Sequence, residues 1–289
     1  SLPIHLDLGC ARGRWVLALA EAEETGVRRR MNHVGAEVRS SLTERAAAAS
    51  ACRAASGRVR YVAVDVRAGE RRDALLAALA PNLVAVSVLF PDPQRDPRRR
   101  MFSVSLAEAI YRALRPRGVV FVASDVPDEL EHMVGALSAA TDATWGGPCY
   151  ERIGGDDAAD AALNAAVHSL DGADAGADGA LSGPTAHAGG AVDARAPLRR
   201  NVWRAPTERE CVCEQPDRHG EQRHVHRALF VRRAPLAVVA EGSATLAVSA
   251  ALAAKPGASA GFYNARTRLA RDVAVLEVRA ALLAGPWAA

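Results

Sequence analysis

Lysine is nearly missing from this 289-residue chain: of its 36 basic residues, only Lys255 is not arginine. No phosphate-binding lysine stands at the end of the first glycine-rich turn, which excludes a P-loop. The alanine- and arginine-rich, lysine-poor composition reads as the coding bias of GC-rich DNA, so isolated arginines are discounted as functional signals. Aromatics are scarce, at 4%. The five cysteines, at 10, 52, 149, 211 and 213, form no disulfide framework, which excludes a small secreted scaffold. Long apolar runs are also lacking. The nearest, Leu236 to Ala254, is broken by Glu241 and made mostly of small residues, so no membrane association is expected.

What is present suffices for a sizeable core in one or two domains: 49% of residues are hydrophobic and 24% charged. The net charge of +3 permits a nucleic-acid partner without requiring one.

Over the first 145 residues strands and helices alternate. Strands are expected at Pro3–Leu8, His33–Val38, Val59–Val64, Leu83–Phe90 and Val119–Ser124. Helices are expected between and after them, with the last at Glu129–Ala139. The run LVAVSVLF suits a parallel strand buried on both faces. Repeated βα units predict an α/β fold with a doubly wound, mostly parallel sheet. Residues 154–199 are Ala, Gly, Asp, Ser and Pro with few large apolar side chains; they read as a disordered insertion, with at most a transient helix at Ala158–Val167. A further strand is expected at His224–Arg233.

Four segments carry candidate chemistry. In Asp7-Leu8-Gly9-Cys10-Ala11-Arg12-Gly13, the glycines Gly9 and Gly13 let the backbone approach a ligand, and Asp7 is placed to meet a cationic group such as the amine of S-adenosylmethionine. The spacing is not that of dinucleotide binders. Glu37 and Asp65 close the next two strands, where carboxylates accept ribose hydroxyls and an adenine amino group. Three acids at successive strand ends share one rim, where open α/β sheets bind ligands. Second, Phe90-Pro91-Asp92-Pro93 closes the fourth strand, with prolines stiffening the loop and aiming Asp92 outwards; the arginines that follow it suit phosphate contacts. Third is Ser124-Asp125 after the fifth strand. Fourth is Thr207-Glu208-Arg209-Glu210, which reads either as a helix cap with its capping-box partner or as a set of hydrogen bonds to a base edge. Cys211-x-Cys213 with His219, His224 and His226 is the candidate zinc set; its Cys-x-Cys spacing is tighter than structural zinc sites use and no second pair matches it, so no metal is expected.

The ordered segments LDLGCARGRWVLALA, NHVGAEVR, VSVLFPDP, RALRPRGVVFVASDV and NVWRAPTERE resemble the tRNA (guanine-N7-)-methyltransferases, most of all the cyanobacterial and plastid-type branch. The resemblance covers residues 1–233 apart from the insertion. It implies a class I methyltransferase fold, with methyl transfer from S-adenosylmethionine to guanine N7 in the tRNA variable loop. It implies cofactor contacts at Asp7, Gly9, Gly13, Glu37 and Asp65, and an active-site carboxylate at Asp92 bordering the cofactor. Guanine contacts would come from Asp125 and Thr207, Glu208, Arg209 and Glu210. Gln94 stands where the family has Trp, and the basic run is shortened to Pro97–Arg100, so Arg95 or Arg98 would take the place of the family's basic substrate residue. The expected compartment is plastid or cytoplasm, any targeting peptide lying outside the chain; the need for a partner subunit stays open.

A second resemblance falls in the tail. EGSATLAV and GFYNARTRLARDVAVLEVRA resemble the start of the tRNA (guanine-N2-)-dimethyltransferases, with Phe262-Tyr263-Asn264 and Arg271-Asp272 matching and Ala265 and Ala270 departing. The expected organisation is therefore a methyltransferase domain at 1–153 and 200–233, an insertion at 154–199, and a truncated start of a second tRNA methyltransferase at 236–289. The competing readings are a non-catalytic tRNA-binding module and a small-molecule methyltransferase on the same fold.

Overall fold

A computed structural model describes residues 2–24, 30–53, 55–143, 147–169, 196–216, 220–234, 236–241 and 244–249. The elements follow in order as β1 (Ile4–Leu8), α1 (Arg14–Glu24), β2 (Asn32–Glu37), α2 (Ser40–Ala51), β3 (Val59–Ala63), α3 (Gly69–Leu79), β4 (Leu83–Leu89), α4 (Val104–Ala113), β5 (Val119–Ser124) and α5 (Pro127–Ala139). They continue as β6 (Tyr150–Ile153), α6 (Asp156–His168), α7 (Glu208–Cys213), β7 (His226–Arg232), β8 (Leu236–Glu241) and β9 (Ala244–Ser249). The expected strands and helices of the first 140 residues are all found, with ends shifted by a few residues at most of them.

The main sheet has the order β3-β2-β1-β4-β5-β7-β6. The first five strands are parallel, and β7 runs antiparallel between β5 and β6. Strand order reverses between β1 and β4, so their carboxyl ends open a crevice between neighbouring loops. Alternation along each strand feeds two cores. Leu6, Leu8, Val86, Val88, Val120 and Val122 face α3, α4 and α5, joining Leu76, Leu106, Ile110 and Met133. Val119, Phe121 and Ala123 point the other way, joining Trp15, Val16, Leu19, Leu163 and Trp203. β8 and β9 form a two-stranded antiparallel hairpin in a second unit of the chain. The resemblance at 262–272 lies outside the described residues.

Both borders of the stretch expected to be disordered are ordered. Residues 156–168 form a full helix whose Ala159, Leu163, Ala166 and Val167 are buried in the second core. Their spacing makes an apolar stripe, and small side chains let the helix lie close to the sheet. The far border is ordered as well. Asp156 accepts hydrogen bonds from the backbone N–H of Arg199 (3.0 Å) and Arg200 (3.3 Å), and Leu198 is buried. The rest of the expected insertion, 170–195, lies outside the described residues.

Candidate functional site

The rim of the sheet holds two adjoining cavities, of about 320 and 570 Å³. They share Gly9, Ala11, Arg39 and the Leu89-Phe90-Pro91-Asp92 segment, so the end of β4 is the wall between them.

The turn after β1 is built from left-handed backbone: Gly9 has φ +81°, Ala11 +47° and Gly13 +65°. The N–H groups of Gly9 and Cys10 both donate to Ala36 O, at 2.8 and 3.1 Å, which pins the turn to β2. Gly9 lines both cavities. Gly13, expected beside the ligand, lines neither. A Cβ there would meet Tyr61 Cε1 at 2.1 Å, and the Tyr61 hydroxyl donates to Gly13 O at 2.9 Å. Gly13 is therefore required by packing against Tyr61.

Asp7 sits on the buried side of this turn and lines the larger cavity. Its Oδ1 is buried without a hydrogen-bond partner, and burial pushes the carboxyl well above the usual carboxylate range. An orphan buried acceptor of this kind is costly, and a cationic group would relieve it. Glu37, at the end of β2, is buried; its Oε2 accepts from Ala11 N (3.2 Å) and its Oε1 from Arg39 N (3.1 Å). Four lone-pair sites leave it capacity for two further donors, such as a vicinal diol. Asp65 lines the smaller cavity. It is already held by Arg67, whose Nε and Nη2 reach its two oxygens at 3.0 and 2.9 Å, and this hydrogen bonding lowers its carboxyl pKa. Val38, 56% exposed, joins Val64 and Val66 as an apolar wall of the same cavity. Val38 is not among the residues the sequence singles out; its place directly after Glu37 is the one signal the sequence offers.

Phe90 turns the chain with φ +51° and donates its N–H to Ala123 O at 2.8 Å. Asp92 follows, exposed and lining both cavities. Arg95 and Arg98 are exposed and line neither cavity: the loop meets the larger cavity through Pro93 and the smaller one through Gln94 and Arg99, and these two arginines face solvent between them.

On the larger cavity the structure brings Asp125, Thr207, Glu208 and Arg209 together. Arg209 pairs with Asp125 at 2.6 Å, and Arg14 pairs with Glu208. Arg12, Arg14 and Arg39 line it as well, three arginines that a discount for composition leaves out. Glu210 does not line the cavity. It is buried, its Oε2 accepting from Thr207 N and Asn201 Nδ2 (both 2.8 Å) and its Oε1 from Arg227 (2.8 and 3.0 Å). With Thr207 Oγ1 accepting from Glu210 N at 3.0 Å, the capping box of α7 is complete. Of the two readings of this segment, the structure displays the cap: Glu210 holds the frame, and Thr207 to Arg209 present themselves to the cavity. Among the described residues no three His, Cys, Asp or Glu side chains cluster as metal ligands, and no helix is long and apolar enough to cross a membrane; His219 lies outside the described residues.

Residues 1–145 match a family model described as a putative methyltransferase. The chain is 43% identical over 137 residues to the tRNA (guanine-N(7)-)-methyltransferase of Parasynechococcus marenigrum (strain WH8102), covering 46% of this chain and 54% of that protein. It is 34% identical over 160 residues to the protein of the same name from Prochlorococcus marinus (strain MIT 9303), covering 54% of this chain and 61% of that one. It thus spans little more than half the length of these relatives. Among solved structures, the [4+2]-cyclase SpnF is similar with a TM-score of 0.40 and 17% identity, over 81% of this chain and 76% of that one.

Proposed function

The chain belongs to the putative-methyltransferase family, and on that premise we propose that it transfers a methyl group from S-adenosylmethionine to N7 of a guanine in tRNA. Its sheet, with β7 reversed between β5 and β6, is that of the class I methyltransferases. The observation that carries the reading is the buried, unpartnered Oδ1 of Asp7 beside the glycine turn. The residues fit the cofactor. Asp7 would meet the ammonium, Glu37 would accept the ribose hydroxyls, and Val38, Val64 and Val66 would flank the adenine, with Asp65 at its edge; Asp7 lines the larger cavity and the others the smaller.

Bound there, the cofactor supplies a sulfonium methyl group to an incoming nucleophile. Guanine N7 already carries an in-plane lone pair, so no residue needs to remove a proton before transfer. The work left to the chain is orientation, where well-placed reactants gain most. Asp92, on the wall between the cavities, is placed to hold the guanine against the cofactor side. Asp125 offers an acceptor to the base edge, and Thr207 closes the far side. Arg12, Arg14, Arg39 and Arg209 surround the larger cavity, where RNA phosphates would lie. Acting on tRNA, the protein would work in the cytoplasm or a plastid.

The test is transfer from labelled S-adenosylmethionine to unmodified tRNA, with the product nucleosides resolved by mass spectrometry. 7-Methylguanosine is expected. Folded, cofactor-binding protein that yields no product would favour a binding module, and N2-methylguanosine would move the assignment to the second resemblance.

A further inference from the structure

Glu129 lies in the first turn of α5 and is only 1% exposed. Its Oε1 is buried with no hydrogen-bond partner, and its Oε2 is 3.7 Å from Arg100 Nε. That Nε–H donates to the carbonyl of Gln94 at 3.2 Å. One turn further along α5, His132 Nε2 donates to the carbonyl of Phe102 at 2.8 Å. Phe102 is itself fully buried, and Ser103 caps α4 by accepting from Leu106 N. One face of α5 thus grips the returning end of the 90–102 loop at two points.

The outgoing end is fixed at Phe90, by its bond to Ala123. Between the fixed ends stands Asp92, exposed, and two residues beyond it Gln94, whose carbonyl Arg100 holds. A buried carboxylate with an unsatisfied oxygen is a poor way to fill a core position. Its ion-pair partner, Arg100, leads to the loop that carries the wall between the two cavities. We propose that Glu129 is a positioning residue: acting through Arg100, it sets the 90–102 loop so that Asp92 stands where methyl transfer requires it. The kinetic part rests on the proposed function; the loop-ordering part does not.

The experiment compares Glu129→Gln, Arg100→Gln and the double variant. Tryptic cleavage after Arg98 and Arg99, mapped by mass spectrometry, reads loop order without any activity. It is expected to speed up roughly fivefold or more in each variant, with the melting temperature within about 3 °C of wild type. kcat is expected to fall about tenfold with the KM for S-adenosylmethionine within about twofold, since a small misplacement of a positioning group slows the transfer step. The double variant should be no worse than the poorer single, because both act along one path. Unchanged cleavage would overturn the proposal, as would independent, multiplying effects in the double variant. So would losses of kcat, cofactor KM and melting temperature in step, the mark of a side chain that merely supports α5. Should Glu129→Gln fail to fold, Arg100→Gln carries the same readings from a more exposed position. Wild-type protein without transfer activity would count against the proposed function alone, and the cleavage rates would still decide whether Glu129 and Arg100 order the loop.

Discussion

Arg209 holds Asp125 by one oxygen: its Nε and Nη2 both reach Oδ2, at 3.2 and 2.6 Å, and Arg223 approaches the same atom at 3.5 Å. Among the described residues no hydrogen bond reaches Oδ1. The pairing leaves the second oxygen as an acceptor at the wall of the larger cavity, suited to the amide and amino N–H groups of a guanine.

Asp125→Asn keeps the shape and removes that charge. A hydrogen bond to a charged group is worth about 1.5–3 kcal/mol, so kcat/KM for tRNA should fall roughly 10- to 100-fold. Cofactor affinity, measured by calorimetry, should stay within about threefold. Unaltered kcat/KM would remove Asp125 from the recognition of the base.

α6 offers a test of the fold itself. Leu163 is 2% exposed and sits among core residues from β4, β5 and the 198–203 segment. Leu163→Ala should destabilise the protein by about 2–5 kcal/mol, as truncation in a packed core does. Denaturant unfolding gives the answer. A change near zero would mean that the helix contributes nothing to the core and that the whole 154–199 stretch acts as a tether.

The contrast between α6 and the strands β1 to β5 shows what local pattern carries. The strand ends with Asp7, Glu37, Asp65, Asp92 and Asp125 were legible because parallel strands bury long apolar runs and the acids stand at their ends. α6 was obscured because its buried stripe is mostly alanine, which composition alone does not separate from a solvated segment. β6 is four residues long and takes its place from pairing with β7, a partner about eighty residues away. Glu210 was visible as a cap and as a base contact; Asn201 and Arg227, distant in sequence, occupy its oxygens and decide between them. The rim arginines were lost for a different reason. In an arginine-rich chain a single Arg14 or Arg39 carries no signal until the fold places it on the same cavity as Asp92.

Asp7 links cofactor binding to stability. Its carboxyl pKa is raised in the folded state by burial, so the folded protein holds this proton more tightly than the unfolded chain. The stabilisation this gives is complete below the unfolded value of about 4 and is lost as pH rises through the folded value. Asp7→Asn should therefore raise the melting temperature of the cofactor-free protein at neutral pH, and the gain should vanish below about pH 4. The same variant should weaken S-adenosylmethionine binding about tenfold or more, because the ammonium loses its charged partner. Tighter binding by the variant would show that Asp7 does not face the cofactor's cation.

Acid should act on the protein through a different group. His5 is fully buried in β1, with Nδ1 3.1 Å from His33 Nδ1 and Nε2 2.9 Å from Ser87 Oγ; His33 in turn meets Glu23, which Arg58 also binds. Burial, and next the neighbouring His33, hold the His5 pKa well below the ordinary histidine range. The unfolded chain then binds this proton more readily than the folded one. Stability is fully present above the unfolded value of about 6.5 and declines as pH falls below it, by up to about 1.4 kcal/mol per pH unit for one such group. His5→Gln keeps a hydrogen-bonding side chain and removes the titration. Its stability at pH 7 should drop, since the buried contacts fit less well, but the slope between pH 6.5 and pH 5 should flatten relative to wild type. Denaturant unfolding across that range measures both slopes. Equal slopes would place the acid sensitivity elsewhere and leave His5 as a packing residue between Trp15 and Trp203.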